Sequence, residues 1–188
     1  DSLQEQLLIH TALIWDYELF KSNMIENNEF DTIYHEHISF FNIMSMIRIV
    51  ERSGLFLNDV FKTDVHGTSF VFVISKNKKT SKNIDIEKNN FLKLKLNDIN
   101  TYIEYSKNIK KLTNDLKNLL NDYKNKGYKL IGYGAAAKGN TLLNFGHIKL
   151  DYILDDNPLK HCLKTPGMNI DIISPIDVIK VCNNKPIL

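Results

Sequence analysis

Hydrophobic positions in the first third of the chain show a helical period followed by two strand-like runs. Apolar side chains at positions 40, 43, 44, 47 and 50 predict an amphipathic helix over residues 40–53. Ser39 is its expected N-cap and Gly54 its expected end. Residues 55–61 and 69–75 predict two strands, and the glycine-containing segment between them predicts that they pair antiparallel.

The middle of the chain is polar at first and then carries a long apolar stripe. Residues 76–90, "KNKKTSKNIDIEKNN", predict a surface linker. Beyond it, apolar residues from Ile99 to Tyr123 recur at three- and four-residue spacing. This spacing predicts one helix of roughly 28 residues, about 42 Å long. Asn97 or Asp98 is its expected cap and Gly127 its expected end.

The last third alternates between short apolar runs and a glycine-rich turn. Residues 128–134 predict a strand, residues 136–145 a helix and residues 150–156 a second strand. A strand, a helix and a strand in this order form a βαβ unit, so we expect a parallel sheet. A later helix is expected to start at Ser174, with Pro175 at its first position.

Composition and charge limit the classes of function. The chain has 188 residues with 43% hydrophobic and 10% aromatic content, as expected for one globular domain or two small ones. The net charge is only +2 with both signs well mixed, which argues against a nucleic-acid-binding surface. Residues 107–129 are rich in lysine and are interpreted as the solvated face of a helix.

Hydropathy and cysteine usage predict a cytoplasmic protein with no membrane partner. No run approaches the roughly 18 apolar residues of a membrane-spanning helix. Residues 7–15 are apolar but too short, and they lack the preceding charged region of a signal peptide. Cys162 and Cys182 have neither the spacing of metal ligands nor that of a disulfide framework.

The turn "GYGAAAKGN" places Gly132, Gly134 and Ala137 in a G-x-G-x-x-A pattern between a strand and a helix. Glycines let the backbone approach a phosphate closely, and the helix N-terminus favours its negative charge. Lys138 adds a cation, and Asp155 follows at the distance of a ribose-binding acid. The pattern leaves open a dinucleotide, a nucleotide-activated substrate, or glycines that serve only helix–strand packing.

A dense polar cluster occurs in "FDTIYHEHISFF", where Tyr34, His35, Glu36 and His37 are consecutive. In an extended segment both imidazoles would lie on one face, as in some metal sites, but no companion motif supplies further ligands. An imidazole can also act as a general base oriented by a carboxylate, with a tyrosine hydroxyl at a developing oxyanion. The third interpretation is that the histidines are structural. His66, in the predicted strand turn, is a weaker candidate of the same kind.

Four segments together resemble one family. The segments "NNEFDTIYHEHISFF", "VHGTSF", "GYGAAAKGNTLLNFG" and "DYILDDNPLKHCLKTPG" are similar to those of S-adenosylmethionine-dependent sugar C-methyltransferases. Those enzymes methylate a ring carbon of nucleotide-linked keto-deoxysugars, and the resemblance extends in order from about residue 18 to residue 175.

The resemblance implies an α/β fold in three parts. Residues 1–76 would be the end of a Rossmann-like methyltransferase domain, formed by a helix and the antiparallel pair. Residues 77–127 would be a linker and a long linking helix, and residues 128–188 a C-terminal Rossmann-like βαβ domain that binds a sugar nucleotide.

The resemblance also implies a mechanism. A nucleoside-diphosphate 4-keto sugar would lose its C3 proton to His37, and the enolate would take a methyl group from S-adenosylmethionine. Tyr34 and Glu36 would stand beside the base in the sugar pocket, with no metal involved. The implied substrate-binding residues are His35, His66, Gly132, Gly134, Ala135, Ala136, Lys138, Gly139 and Asn140.

The chain departs from the family pattern in two respects. It contains neither a cysteine-rich zinc module nor a glycine-rich S-adenosylmethionine loop, so we expect the C-terminal part of such an enzyme, with the methyl donor bound mainly elsewhere. Gly67 is followed by Thr68, whereas the family's turn reads His-Gly-Gly-Ser. The alternative hypothesis is a non-catalytic module that binds a dinucleotide or a nucleotide.

Overall fold

A computed structural model describes residues 22–63, 69–182 and 185–188, which form a mixed α/β structure. Its helices are α1 (Ser22–Asn27), α2 (Ile43–Arg52), α3 (Lys82–Lys93), α4 (Ile99–Asn125), α5 (Ala137–Phe145) and α6 (Val178–Cys182). Its strands are β1 (Phe56–Thr63), β2 (Ser69–Ser75), β3 (Ile131–Tyr133), β4 (Tyr152–Leu154) and β5 (Asp171–Ile173). The contacts divide the chain into two units. The described residues of the first unit lie within 22–29 and 35–105, and those of the second lie within Phe30–Tyr34 and Ser106–Leu188. In the described part of the chain, no helix has the length and apolarity needed to span a membrane.

Helix α2 of the first unit forms where the apolar period predicts it, but its cap is Asn42 rather than Ser39. The Ser45 amide donates to Asn42 Oδ1 (2.9 Å), and the Asn42 amide donates to Ser45 Oγ (2.8 Å). This reciprocal capping box satisfies two backbone donors that the helix itself leaves unpaired. Ser39 lies too far before the first helical residue to do the same. Gly54 follows the helix with a positive φ of 71°, as expected for its end.

The predicted antiparallel pair is confirmed. Phe56 of β1 lies opposite Ser75 of β2, and Thr63 lies opposite Ser69, with a register shift between Leu57 and Asp59. The pair contributes buried apolar side chains to the core of the first unit, among them Val60, Phe70 and Phe72. The turn that carries His66 lies outside the described residues.

The interpretation of residues 76–90 as a surface linker is wrong, because helix α3 begins within them. Ser81 caps this helix by accepting from the Asn83 amide (3.2 Å). Ile84 and Phe91, two helical turns apart, are buried in the core of the first unit. The helix buries only these two apolar side chains, and lysines and asparagines occupy most of its other positions. The sequence therefore lacks the continuous apolar stripe from which a helix is predicted.

Helix α4 confirms the predicted long helix in extent, with 27 residues. Asp98 Oδ1 accepts from the Asn100 amide (2.9 Å), which settles the cap, and Gly127 ends the helix with a φ of 90°. The predicted stripe was too wide, because several of its members are exposed, namely Ile99, Ile103, Leu112 and Leu119. The buried line instead includes Tyr105, Ile109 and Thr113 at four-residue spacing.

The second unit contains the predicted parallel sheet. Strands β3, β4 and β5 lie side by side in that order and all run parallel, and α5 connects β3 to β4. The βαβ unit is therefore confirmed. A core beneath α5 joins Leu143, Ile153 and Ile170. At the β3 edge of the sheet, Lys129 forms a parallel bridge with Ile187.

The end of the chain contains one expected and one missed element. Ser174 Oγ accepts from the Ile176 amide (3.4 Å), and Pro175 opens a 3-10 turn that leads into α6, as predicted. Strand β5 was missed because only three residues pair and the exposed Asp171 interrupts their apolar pattern.

Candidate functional site

The glycine-rich turn leaves β3 at the carboxyl edge of the parallel sheet. The Gly134 amide still donates to the Leu154 carbonyl (2.7 Å), so strand pairing continues to that residue. Gly134 then adopts a φ of 92°, a conformation that L side chains rarely adopt, and the chain reverses toward α5. The sequence pattern of glycine after a strand therefore corresponds to a sharp turn at the sheet edge.

Asp155 holds this turn from the neighbouring strand end. Its Oδ2 accepts a hydrogen bond from the Ala135 amide (2.8 Å), and its Oδ1 accepts one from the Asn157 amide (2.9 Å). Lys160 Nζ lies 2.9 Å from Asp155 Oδ2 and also donates to the Ala135 carbonyl (2.9 Å). Both the N–H and the C=O of Ala135 are therefore hydrogen-bonded within the protein.

The same contacts keep Asp155 ionised. The hydrogen bond from Lys160, followed by that from the Asn157 amide, lowers the pKa of Asp155 to about 2, although the residue is only 7% exposed and burial opposes the shift. The carboxylate is thus negatively charged at all physiological pH values and has a lysine as its counter-ion.

The start of α5 offers backbone donors. Ala136 is the N-cap, and its methyl side chain cannot accept a hydrogen bond from the first turn. The Asn140 amide donates to the Ala136 carbonyl (3.0 Å) as the first helical bond. Within the described residues, the amides of Ala136, Ala137 and Gly139 have no acceptor. Such amides, together with the helix dipole, favour a bound anion.

The predicted loop residues differ in what they can offer a ligand. Gly134, Ala136 and Lys138 are exposed. Asn140 is engaged inside the unit, because its Oδ1 accepts from Asn144 Nδ2 (3.0 Å). With the N–H and C=O of Ala135 also engaged, the amides of this described loop that remain for a ligand are those of Ala136, Ala137 and Gly139.

Sequence reasoning missed Lys160 and His161. Asn157 Oδ1 accepts from the Leu159 amide (3.0 Å), and Pro158 opens a 3-10 turn that returns Lys160 to Asp155. The available signal was the Asn-Pro pair, which is typical of such turns. His161 Nε2 lies 2.7 Å from the Asp155 carbonyl, and since a carbonyl only accepts, this nitrogen carries the proton.

The residues from Tyr34 to Glu36 form a bend and a turn rather than an extended strand, and His37 follows them. The Ile33 amide donates to the Phe30 carbonyl (2.9 Å), and turn structure continues through Glu36. The strand-like alternation of faces considered for a metal site therefore does not apply.

The four side chains of this segment differ in solvent exposure. His35 and Glu36 are exposed, whereas Tyr34 and His37 are half-buried. The His37 ring meets Phe40 edge-on, with 6.5 Å between the ring centroids. No group of three His, Cys, Asp or Glu side chains with metal-binding geometry occurs among residues 22–63, 69–182 and 185–188.

Comparison with known proteins identifies the family. A family model for the C-methyltransferase C-terminal domain matches residues 64–185, which include the glycine-rich turn, Asp155 and Lys160. The chain belongs to this C-methyltransferase family. C-methyltransferase NovU of Streptomyces niveus is 30% identical over 162 residues, which cover 81% of this chain and 38% of NovU. The cluster from Tyr34 to His37 precedes the segment matched by the family model.

Proposed function

We propose that this C-methyltransferase-family chain acts in the S-adenosylmethionine-dependent methylation of a ring carbon, C3, of a nucleoside-diphosphate 4-keto-deoxysugar. The observation that carries the proposal is the family match, because it covers a turn at the carboxyl edge of a parallel sheet. In parallel α/β sheets, ligands bind at that edge.

In this proposal, residues 128–188 form a Rossmann-like domain that binds the diphosphate. The amides of Ala136, Ala137 and Gly139 would donate to phosphate oxygens, and the exposed Lys138 would add a positive charge. Residues 1–76 would end a Rossmann-like methyltransferase domain, joined through residues 77–127.

The residues from Tyr34 to His37 would serve the sugar. A ketone at C4 acidifies the C3 proton, which His37 would accept as general base and later release to solvent. The Tyr34 hydroxyl would donate to the enolate oxygen, and Glu36 would orient the imidazole. The partial burial of Tyr34 and His37 supports this division, because hydrogen bonds and charges are screened less where water is partly excluded.

The methyl group would come from S-adenosylmethionine. The described residues of the first unit include a single glycine, Gly54, which follows a helix and does not form a strand–turn–helix loop. Because these residues do not fit a donor-binding loop, the proposal assigns no donor contact to this chain.

The alternative of a dinucleotide-binding module has less support. It would use Asp155 as the acceptor for ribose hydroxyls. Asp155 accepts from Ala135, Asn157 and Lys160 and is largely buried, so most of its hydrogen-bonding capacity is already used.

Binding can be tested by thermal denaturation of the chain with thymidine-diphosphate or uridine-diphosphate sugars. We expect a rise in Tm that is weakened in Lys138→Ala and unchanged in Lys149→Ala, an exposed lysine of the same unit outside the turn. Absence of any shift at saturating nucleotide sugar would remove the binding proposal. A shift with NAD(H) alone would favour the dinucleotide alternative.

A further inference from the structure

The backbone of Ala135 is hydrogen-bonded on both sides by Asp155 and Lys160. Asp155 binds its N–H side and Lys160 binds its carbonyl side, each within 2.9 Å, while Lys160 and Asp155 also bind each other. Holding the N–H and the C=O of one residue orients the two peptide planes that meet at its Cα. The orientation of the following amides at Ala136 and Ala137 therefore depends on this pair.

This arrangement places the negative charge of Asp155 next to the turn that is proposed to bind a diphosphate. Asp155 Oδ2 is 2.8 Å from the Ala135 nitrogen, and the next residue is the cap of α5. A lone carboxylate there would repel a phosphate through a poorly screened path, because Asp155 is largely buried. Lys160 cancels that charge without leaving the turn.

The turn after Asp155 places Lys160 close to the end of β4. The Asn157 cap and the 3-10 turn Pro158–Lys160 return the lysine to the strand end. His161 binds the Asp155 carbonyl, so side chain and backbone of Asp155 are held by three residues that follow it closely.

We propose that Asp155 and Lys160 are a positioning pair for the glycine-rich turn: together they hold the N–H and the C=O of Ala135, and Lys160 neutralises the carboxylate so that a nucleoside diphosphate meets free amides instead of a negative charge. This inference rests on the proposed binding of a sugar nucleotide. It adds two residues whose effect on the ligand passes through the turn.

The test compares single and double substitutions by titration calorimetry with uridine diphosphate, thymidine diphosphate and inorganic pyrophosphate. Lys160→Met leaves Asp155 uncompensated, so we expect its affinity for the best-binding probe to fall about tenfold or more. Asp155→Asn should bind within about threefold of the unmodified chain. The double variant Asp155→Asn/Lys160→Met removes both charges, so it should bind more tightly than Lys160→Met, but it still lacks the hydrogen bond from Lys160 to the Ala135 carbonyl and should not recover the whole loss.

Lys164→Met is the matched control. Lys164 pairs with Asp171 in the same unit, but both partners are exposed and neither contacts the turn. Its affinity should equal that of the unmodified chain. Amide exchange at Ala135 supplies a readout without ligand, and in Lys160→Met it should accelerate more than exchange at buried amides of β4, which reports the general loss of stability.

The outcomes separate this inference from the proposed function. If the unmodified chain binds a probe and Lys160→Met binds it equally well, the positioning role is wrong and the proposed function stands. If the double variant is as weak as Lys160→Met, neutralisation of Asp155 is wrong. If the unmodified chain binds none of the three probes, the proposed function fails and this inference with it.

Discussion

The Asp155 carboxylate accepts a 2.8 Å hydrogen bond from the amide of Ala135, twenty residues earlier in the chain. This contact joins the end of β4 to the turn after β3, the two places where the pairing of a parallel sheet stops. Side-chain oxygens at such positions satisfy amides that no strand can reach. The conformation of the turn is thus determined partly by a residue outside it.

This relationship predicts a pH dependence of folding. The folded pKa of Asp155 is about 2, below the value near 3.9 of an unfolded aspartate. Its stabilising contribution is therefore fully present above pH of about 4 and is lost as the pH falls toward about 2. Urea denaturation across that range should show a smaller loss of stability in Asp155→Asn than in the unmodified chain. Equal losses in the two proteins would contradict the assignment.

The positive φ at Gly134 predicts a cost for any side chain at this position. Gly134→Ala has open space for its methyl group but must hold a φ of 92°, so we expect a destabilisation of about 1 kcal/mol or more. Gly139→Ala is the matched comparison, because its methyl group would meet nothing closer than 3.8 Å inside a helix. It should be neutral or stabilising. A comparison of the free energies of unfolding checks this order, and a Gly139→Ala chain less stable than Gly134→Ala would contradict it.

Helix α3 provides a second matched pair. Ile84 is 1% exposed and Ile86, in the same turn of helix, is 54% exposed. Ile84→Ala should destabilise the chain by about 2–5 kcal/mol, because it leaves a cavity, whereas Ile86→Ala should cost well under 1 kcal/mol. Chemical denaturation measures both. Similar small effects of the two substitutions would support the surface linker predicted for residues 76–90.

The N-cap of α2 can be tested by substituting Asn42, the cap in the structure, and Ser39, the cap predicted from the sequence. Asn42→Ala removes the acceptor for the Ser45 amide and should cost about 1 kcal/mol. Ser39→Ala should leave the free energy of unfolding unchanged within error. The reverse order would restore Ser39 as the cap.

Periodic elements with clear ends were predictable from the sequence. The helix α4 has a long apolar period, an aspartate before it and a glycine after it, and its bounds follow from local chemistry. The βαβ unit was equally accessible, because glycines interrupt an apolar run at the point where the strand ends. What failed was the width of the buried stripe on α4, which depends on packing partners that the period alone does not specify.

The candidate site was predictable only in its local parts. The glycine-rich turn could be predicted from its residue types. Lys160 could not, because lysines are common in this chain and its role depends on a tertiary contact with Asp155. The histidine cluster presents the same difficulty. Its residue types indicate acid–base chemistry, while its turn conformation, and with it the burial of His37, depends on the fold.

The central claim, removal of a sugar C3 proton by His37, can be measured directly. A nucleoside-diphosphate 4-keto-6-deoxysugar is incubated in D2O with the enzyme that carries this chain, and loss of the C3 proton signal is followed by NMR. His147→Asn is the control, because His147 is exposed on a turn with a φ of 48° that asparagine adopts readily.

We predict exchange by the unmodified enzyme and by His147→Asn, and a reduction of about 100-fold or more in His37→Asn. Exchange by His37→Asn at the unmodified rate would contradict the assignment of His37 as the base.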